Sequence, residues 1–187
     1  VSDAVPAVRD MADLVAAAPG PRGVLEILER YPLAGQFLDV PLRRERPISL
    51  GREESGRMVT LPAARLAGRN LGVFGDSGTG KSWMVGLIAE GLHHEDYQVL
   101  LIDPEGDFRG LRVLPRFVSV SGDRATLPPP SAVVSLLDEG GVSLVLDLSQ
   151  YPIGSRSHYL AELLRALRPV REGKFRPHWI VLDEAQE

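Results

Sequence analysis

The chain has 187 residues, 44% of them hydrophobic and 25% charged, with a formal net charge of −4 and no cysteine. This is the composition of an ordinary globular polypeptide long enough for one core, and it excludes disulfides and thiolate-held zinc. No apolar run approaches the roughly 20 residues of a membrane helix and no signal peptide opens the chain, so a cytoplasmic location is the default expectation; the acidic balance lacks the basic stripe of nucleic-acid-binding domains, leaving room only for a local patch.

In chain order, Val5, Val8, Met11, Ala12 and Val15 recur at helical spacing and predict a short helix over residues 2–16. A second amphipathic helix is expected from Gly23 to Tyr31, ended by Pro32. Residues 32–47 are rich in proline and arginine and read as a linker, with Arg43, Arg44 and Arg46 keeping it soluble. Ile48–Leu50 and Arg57–Leu61, flanking Gly51 and Gly56, predict a small β-hairpin, followed by a helical turn over 62–67. Strands are expected at Asn70–Phe74, Gln98–Ile102, Phe117–Val120, Ser143–Leu148 and Trp179–Leu182. Helices are expected over Lys81–His93, 131–138 and Ser157–Leu167, the last stopped by Pro169. Strands apolar on both faces that alternate with helices mean an α/β fold, a parallel sheet covered on both sides.

Gly75-Asp76-Ser77-Gly78-Thr79-Gly80-Lys81-Ser82 fits G-x-x-x-x-G-K-[ST], the P-loop pattern, at every fixed position. Glycines permit a close backbone approach, successive N–H groups point at phosphates, and the following helix presents its positive end. Lys81 is expected to reach the β- and γ-phosphates of ATP, and Ser82 to place its hydroxyl on Mg²⁺. Lysine occurs only at positions 81 and 174, so in this arginine-biased chain its use at 81 is pointed.

About a hundred residues later, the apolar Trp179–Leu182 run ends in Asp183 and Glu184. Asp183 is expected to hold Mg²⁺ through water, and Glu184 to act as general base on the attacking water. An acid beside the metal acid favours hydrolysis over transfer to an acceptor, which argues against a P-loop kinase. Gln186 either reports the γ-phosphate or is an exposed polar residue.

Together these segments resemble the HerA–FtsK family of ring-forming P-loop ATPases over roughly residues 48–187. Ile48–Gly51 with Val59–Leu61 is similar to the lead-in before the P-loop. Leu101–Phe108 resembles the family's D-P-x-G-[DE]-[YF] signature, Val145–Ser149 its D-L-S strand, and Leu182–Gln186 its D-E-A-[HQ] box. The resemblance implies a RecA-like parallel sheet, ATP hydrolysis with Mg²⁺, hexameric rings with sites between subunits, and DNA as the track. It also implies an arginine finger and a sensor strand after the acid pair, which would make this chain a fragment truncated at its C-terminal side; Arg109 is the nearest basic candidate within it. Asp103, Glu105 and Asp107 either orient water, Mg²⁺ or a neighbour's arginine, or simply form an Asp-Pro turn closed by Gly106. Ser2–Pro6, Met11–Val15 and Gly23–Leu28 resemble the C-terminal end of Cof-type haloacid dehalogenase phosphatases, whose catalytic acids are absent here. That resemblance implies three parts: a phosphatase-like remnant at 1–31, the linker, and the ATPase domain at 48–187. It also opens a second function, a nucleotide-gated regulator of an attached phosphatase.

His93 and His94 are adjacent and cannot share a helix face, so a solvated helix end is expected there rather than a metal site. His158 and His178 have no partners at ligand spacing. Arg165, Arg168, Arg171, Lys174 and Arg176 either complement the end of a helix or contact a DNA backbone.

Overall fold

The computed structural model describes residues 2–5, 9, 12, 14–30, 46–66, 68–121, 126–139 and 141–185. The predicted helix over 2–16, through Val8 and Met11, and the linker, through residues 31–45, fall largely outside them, as does Gln186. The backbone divides into two compact units, Val1–Pro47 with Pro62–Arg69, and Ile48–Leu61 with Asn70–Glu187.

The first unit contains α1 (Gly20–Arg30), which starts three residues before the expected Gly23. Its entry is tied down by Glu26, whose carboxylate accepts the backbone N–H groups of Ala17 and Ala18. The 3₁₀ turn Ala63–Leu66 stands where a helical turn is expected.

The second unit opens with the expected hairpin, β1 (Pro47–Arg52) and β2 (Met58–Pro62). Ile48 is buried against α2 (Lys81–His94), where a Cβ on Gly91 would fall 2.2 Å from the Ile48 methyl; only glycine allows the hairpin this close. The remaining strands are β3 (Val99–Asp103), β4 (Phe117–Ser121), β5 (Ser143–Asp147) and β6 (Trp179–Leu182). They form one parallel sheet in the order β4-β5-β3-β6. Every residue of β3 and β5 is buried, as expected of continuous apolar runs in a sheet covered on both faces. The fold is thus α/β, a parallel sheet flanked by helices, and compatible with a P-loop NTPase.

Alternation along the strands sorts the two faces. Leu100, Ile102, Leu144 and Leu146 meet Val133 and Leu137 of α3 (Pro130–Asp138) and Tyr159, Leu163 and Leu167 of α4 (Ile153–Lys174). Tyr159 keeps its hydroxyl satisfied there by donating to the Pro128 carbonyl at 2.8 Å, and burial pushes its pKa up to about 12. The opposite side chains, Val99, Leu101, Asp103, Ser143, Val145 and Asp147, share the face that α2 covers. Among the described residues no helix is long and apolar enough to cross a membrane.

Three expectations are corrected. Asn70–Phe74 forms no strand; Leu71, Val73 and Phe74 are exposed, Phe74 at 93%. An apolar run becomes a strand only beside a partner, and residues 70–74 pair with none of the four strands of the sheet. Pro169 does not end its helix, which runs on to Lys174. The proline removes one backbone hydrogen bond, but the last turns are fixed from outside, by Lys174 on Asp138 and by Arg171 donating to the Pro177 carbonyl. The basic run is therefore largely spoken for, with Arg168 paired to Glu172. Finally, His93 is buried rather than solvated. Its Nε2 lies 2.7 Å from the Pro115 carbonyl and its Nδ1 2.9 Å from Ser143 Oγ. A carbonyl only accepts, so Nε2 carries the proton and the Ser143 hydroxyl donates to Nδ1.

Candidate functional site

The direction of α2 decides where the glycine-rich loop lies. Its C-terminal His93 bonds to Ser143, at the start of β5. Its first turn, Ser82 and Trp83, lines a cleft of about 470 Å³ together with Asp107 and Phe108, just past the end of β3. The helix therefore runs antiparallel to the sheet, and its N terminus stands at the edge where the parallel strands end. Ligands of α/β sheets bind at that edge.

Residues 75–80 are exposed, and Lys81 and Ser82 are half-buried. Gly78 and Gly80 have φ of 77° and 89°, conformations that fold the loop back on itself and that side chains resist. Lys81 Nζ donates to the Asp76 carbonyl at 2.9 Å and Thr79 Oγ1 donates to the same oxygen at 2.8 Å, so the ammonium is held over the loop. No side chain caps the N terminus of α2 and no acid lies in its first turn. Its first N–H groups and positive dipole end are left for an anion.

Three acids, Asp103, Asp147 and Asp183, stand side by side where the strands end. Asp103 and Asp147 are partners in the β3–β5 register, and Ile102 is opposite Leu182, so the next pair in sequence is Asp103 with Asp183. Asp183 N–H donates to the Ile102 carbonyl at 3.2 Å, which continues the β3–β6 ladder by one step. The Asp103 carboxylate accepts the backbone N–H groups of Gly106, Asp107 and Phe108 at 2.6, 3.1 and 2.9 Å. Of its two expected roles, shaping the Asp-Pro turn is the one its contacts express. Glu105 and Asp107 project from that turn and are exposed. Asp107 shares the cleft with Ser82 and also adds its charge to the field at Asp183.

Asp183 is the electrostatically uncomfortable member. Burial pushes its carboxyl above the ordinary value of 3.8; the Glu184 backbone N–H opposes this, and the charges of Glu184, Asp103 and Asp107 reinforce it. Its Oδ2 is buried with no hydrogen-bond partner. Glu184 beside it is half-buried, with a left-handed φ of 49° that a non-glycine residue adopts at some cost. A buried carboxylate oxygen short of a donor is of the kind that suits a hydrated cation. Among the described residues no group of three or more His, Asp or Glu is arranged to hold a metal alone; Mg²⁺ bound with nucleotide needs only one or two protein oxygens. The chemistry of these groups is compatible with Mg²⁺ carried by a nucleotide.

The raised carboxyl has a stability consequence. Between the unfolded pKa and the higher folded one, the folded state binds more protons, so stability falls as pH rises through that window and stays lower above it. In metal-free buffer, Asp183→Asn should therefore raise the melting temperature at pH 7. The gain should vanish below about pH 3.8, the ordinary value, where both states are protonated. Equal melting of the two proteins across the whole range would count against a strained carboxylate.

What sequence reasoning missed is where Arg109 is seated. Its Nε donates to Asp147 Oδ2 at 2.6 Å and its Nη2 to Ser149 Oγ at 2.7 Å. Burial pushes the Asp147 carboxyl up, but the hydrogen bonds from Arg109 and Ser149 outweigh it and hold the group below its usual range. The signal was present, since Asp103–Phe108 and Val145–Ser149 are both segments of the resemblance; that an arginine joins them needs three dimensions.

Residues 48–148, more than half of the chain, match the family model described as "Helicase HerA, central domain". The match contains the Gly75–Ser82 loop and Asp103–Phe108 and ends before Asp183; it does not bear on residues 1–31. No curated protein and no solved structure gives a significant match.

Proposed function

Because the chain belongs to the HerA helicase central-domain family, an ATPase-type motor family, we propose that it is the ATP-hydrolysing module of a motor that moves along DNA. What supports the chemical half is an uncapped helix N terminus whose Ser82 shares a cleft with Asp107, an acid whose charge also reaches Asp183 at the end of β6.

In this reading the module spans residues 48–187. Backbone N–H groups of Gly75–Gly80 wrap the phosphates, and Lys81 releases the Asp76 carbonyl to pair with the β- and γ-phosphates. Ser82, through its hydroxyl, and Asp183 would hold Mg²⁺. Bound Mg²⁺ supplies charge neutralisation of the phosphate oxygens. Glu184 accepts a proton from the attacking water, Asp107 orients water beside Ser82, and Gln186 contacts the γ-phosphate. The DNA half rests on the family alone, as do the ring-shaped homo-oligomer and a cytoplasmic setting.

DNA dependence separates the motor from the regulator. A motor should show ATP turnover stimulated by duplex DNA. If it contacts about six phosphates, its DNA affinity should drop about 10³-fold or more between 50 and 200 mM salt. Turnover that ignores DNA, with a phosphatase activity of the intact protein that follows ATP instead, would replace the motor by a nucleotide-gated regulator attached at residues 1–31.

A further inference from the structure

Between Asp103 and Arg109 the chain makes a turn held from two sides. On one side, the Asp103 carboxylate gathers three consecutive backbone N–H groups. On the other, Arg109 reaches across to the end of the neighbouring strand, where Asp147 is buried and Ser149 adds a second oxygen. The two anchors sit on β3 and β5, whose register pairs Asp103 with Asp147. The turn fits tightly under the arginine, because a Cβ on Gly106, at φ 86°, would lie 2.9 Å from Arg109 Nη2. Phe108, the last residue before the arginine, is buried and sits 3.6 Å from where a Cβ on Gly86 of α2 would stand. Asp107 is thereby set in the cleft that Ser82 lines.

We propose that Arg109 is a positioning residue of the hydrolytic site that acts within its own subunit, clamping the 104–108 turn to Asp147 and Ser149 so that Asp107 is held in the cleft beside Ser82. This deepens the reading of the site as an ATPase and rests on it. It also separates Arg109 from the arginine finger, for which the sequence makes it the nearest candidate: a guanidinium already seated on a buried carboxylate and a hydroxyl is committed to its own chain. The ion pair is asymmetric, with the Asp147 side chain 3% exposed and that of Arg109 51% exposed. Removing the arginine thus strands a buried carboxylate and frees the turn at once.

The test is steady-state ATP turnover by the intact protein carrying Arg109→Ala, Arg109→Lys, Asp147→Asn, or the alanine and asparagine changes together, assayed well below each melting temperature. A misplaced group of about 1 Å costs up to roughly 10²-fold, so kcat should fall about 10-fold or more in Arg109→Ala with KM within twofold. Arg109→Lys, which keeps the charge but cannot reach both oxygens with a planar fork, should recover part of the loss. Asp147→Asn should lower kcat too, and the double variant should be no slower than Arg109→Ala, because both changes break one clamp. If Arg109→Ala fails to fold, the lysine and asparagine variants carry the same comparison. A lowered melting temperature with unchanged kcat would reduce the clamp to a stabilising ion pair and overturn the proposal. So would turnover restored by mixing Arg109→Ala subunits with Lys81→Ala subunits, since only an arginine acting on a neighbour's nucleotide could be complemented in that way. Lys81→Ala alone is the control for the underlying reading: if it turns over ATP normally, the ATPase assignment fails, whereas if it is dead and Arg109→Ala is normal, only the positioning role fails.

Discussion

Glu184→Gln in the intact protein should bind Mg·ATP as well as the unaltered protein and hydrolyse it about 10²- to 10⁴-fold more slowly, the range a positioned general base contributes. The reasoning begins with Asp183, whose buried oxygen lacks a donor and whose carboxyl is pushed upward by burial. A cation near that oxygen makes Asp183 a poor proton acceptor and leaves its neighbour to take the proton. Glutamine keeps the size and one acceptor oxygen of glutamate but cannot take the proton, so binding and turnover should part company. Nucleotide affinity by fluorescence titration, beside single-turnover hydrolysis, measures the two separately. Unchanged turnover in this variant removes the base from Glu184 and leaves the acid pair as a strand end.

The second large effect is expected at the other side of the site. Lys81→Ala should weaken Mg·ATP binding at least about 10²-fold, since one hydrogen bond from a charged donor is worth roughly 1.5–3 kcal/mol and in the proposed site this ammonium would serve two phosphates. The fold should hardly notice. Lys81 is half-buried, its ammonium donates to the Asp76 carbonyl, and that carbonyl keeps the Thr79 hydroxyl as donor. Calorimetric titration with Mg·ATP, beside a melting curve, checks both statements. Wild-type affinity in the alanine variant would mean that the loop is a glycine-rich turn and nothing more.

How far these residues could be read in advance depended on whether their behaviour was local. The runs Val99–Ile102 and Ser143–Asp147 are too apolar to lie anywhere but inside; these and Trp179–Leu182, a half-buried strand at the end of the sheet, are strands within a residue of their expected bounds. The Gly75–Ser82 pattern likewise carries its meaning in its own spacing. Asn70–Phe74 has the same apolar texture and yet forms no strand, because pairing depends on a partner strand that a local run does not reveal. Helix α4 passes through Pro169 because contacts from Asp138 and Pro177 hold its last turns. His93 looked like a wet helix end because a polar residue beside another histidine gives no hint of Ser143, fifty positions away. Arg109 was visible as a cation, but its seat between Asp147 and Ser149 exists only once β3 and β5 lie side by side.

The buried histidine has a mechanical consequence. It fastens the last turn of α2 to the far end of the sheet, through Ser143 and Pro115, while the first turn is the part that would touch phosphate. A helix of 14 residues is a stiff rod about 20 Å long. With His93 fastened and Gly86 and Gly91 packed close to Phe108 and Ile48, α2 is a braced rod that carries its first turn to the ends of the strands.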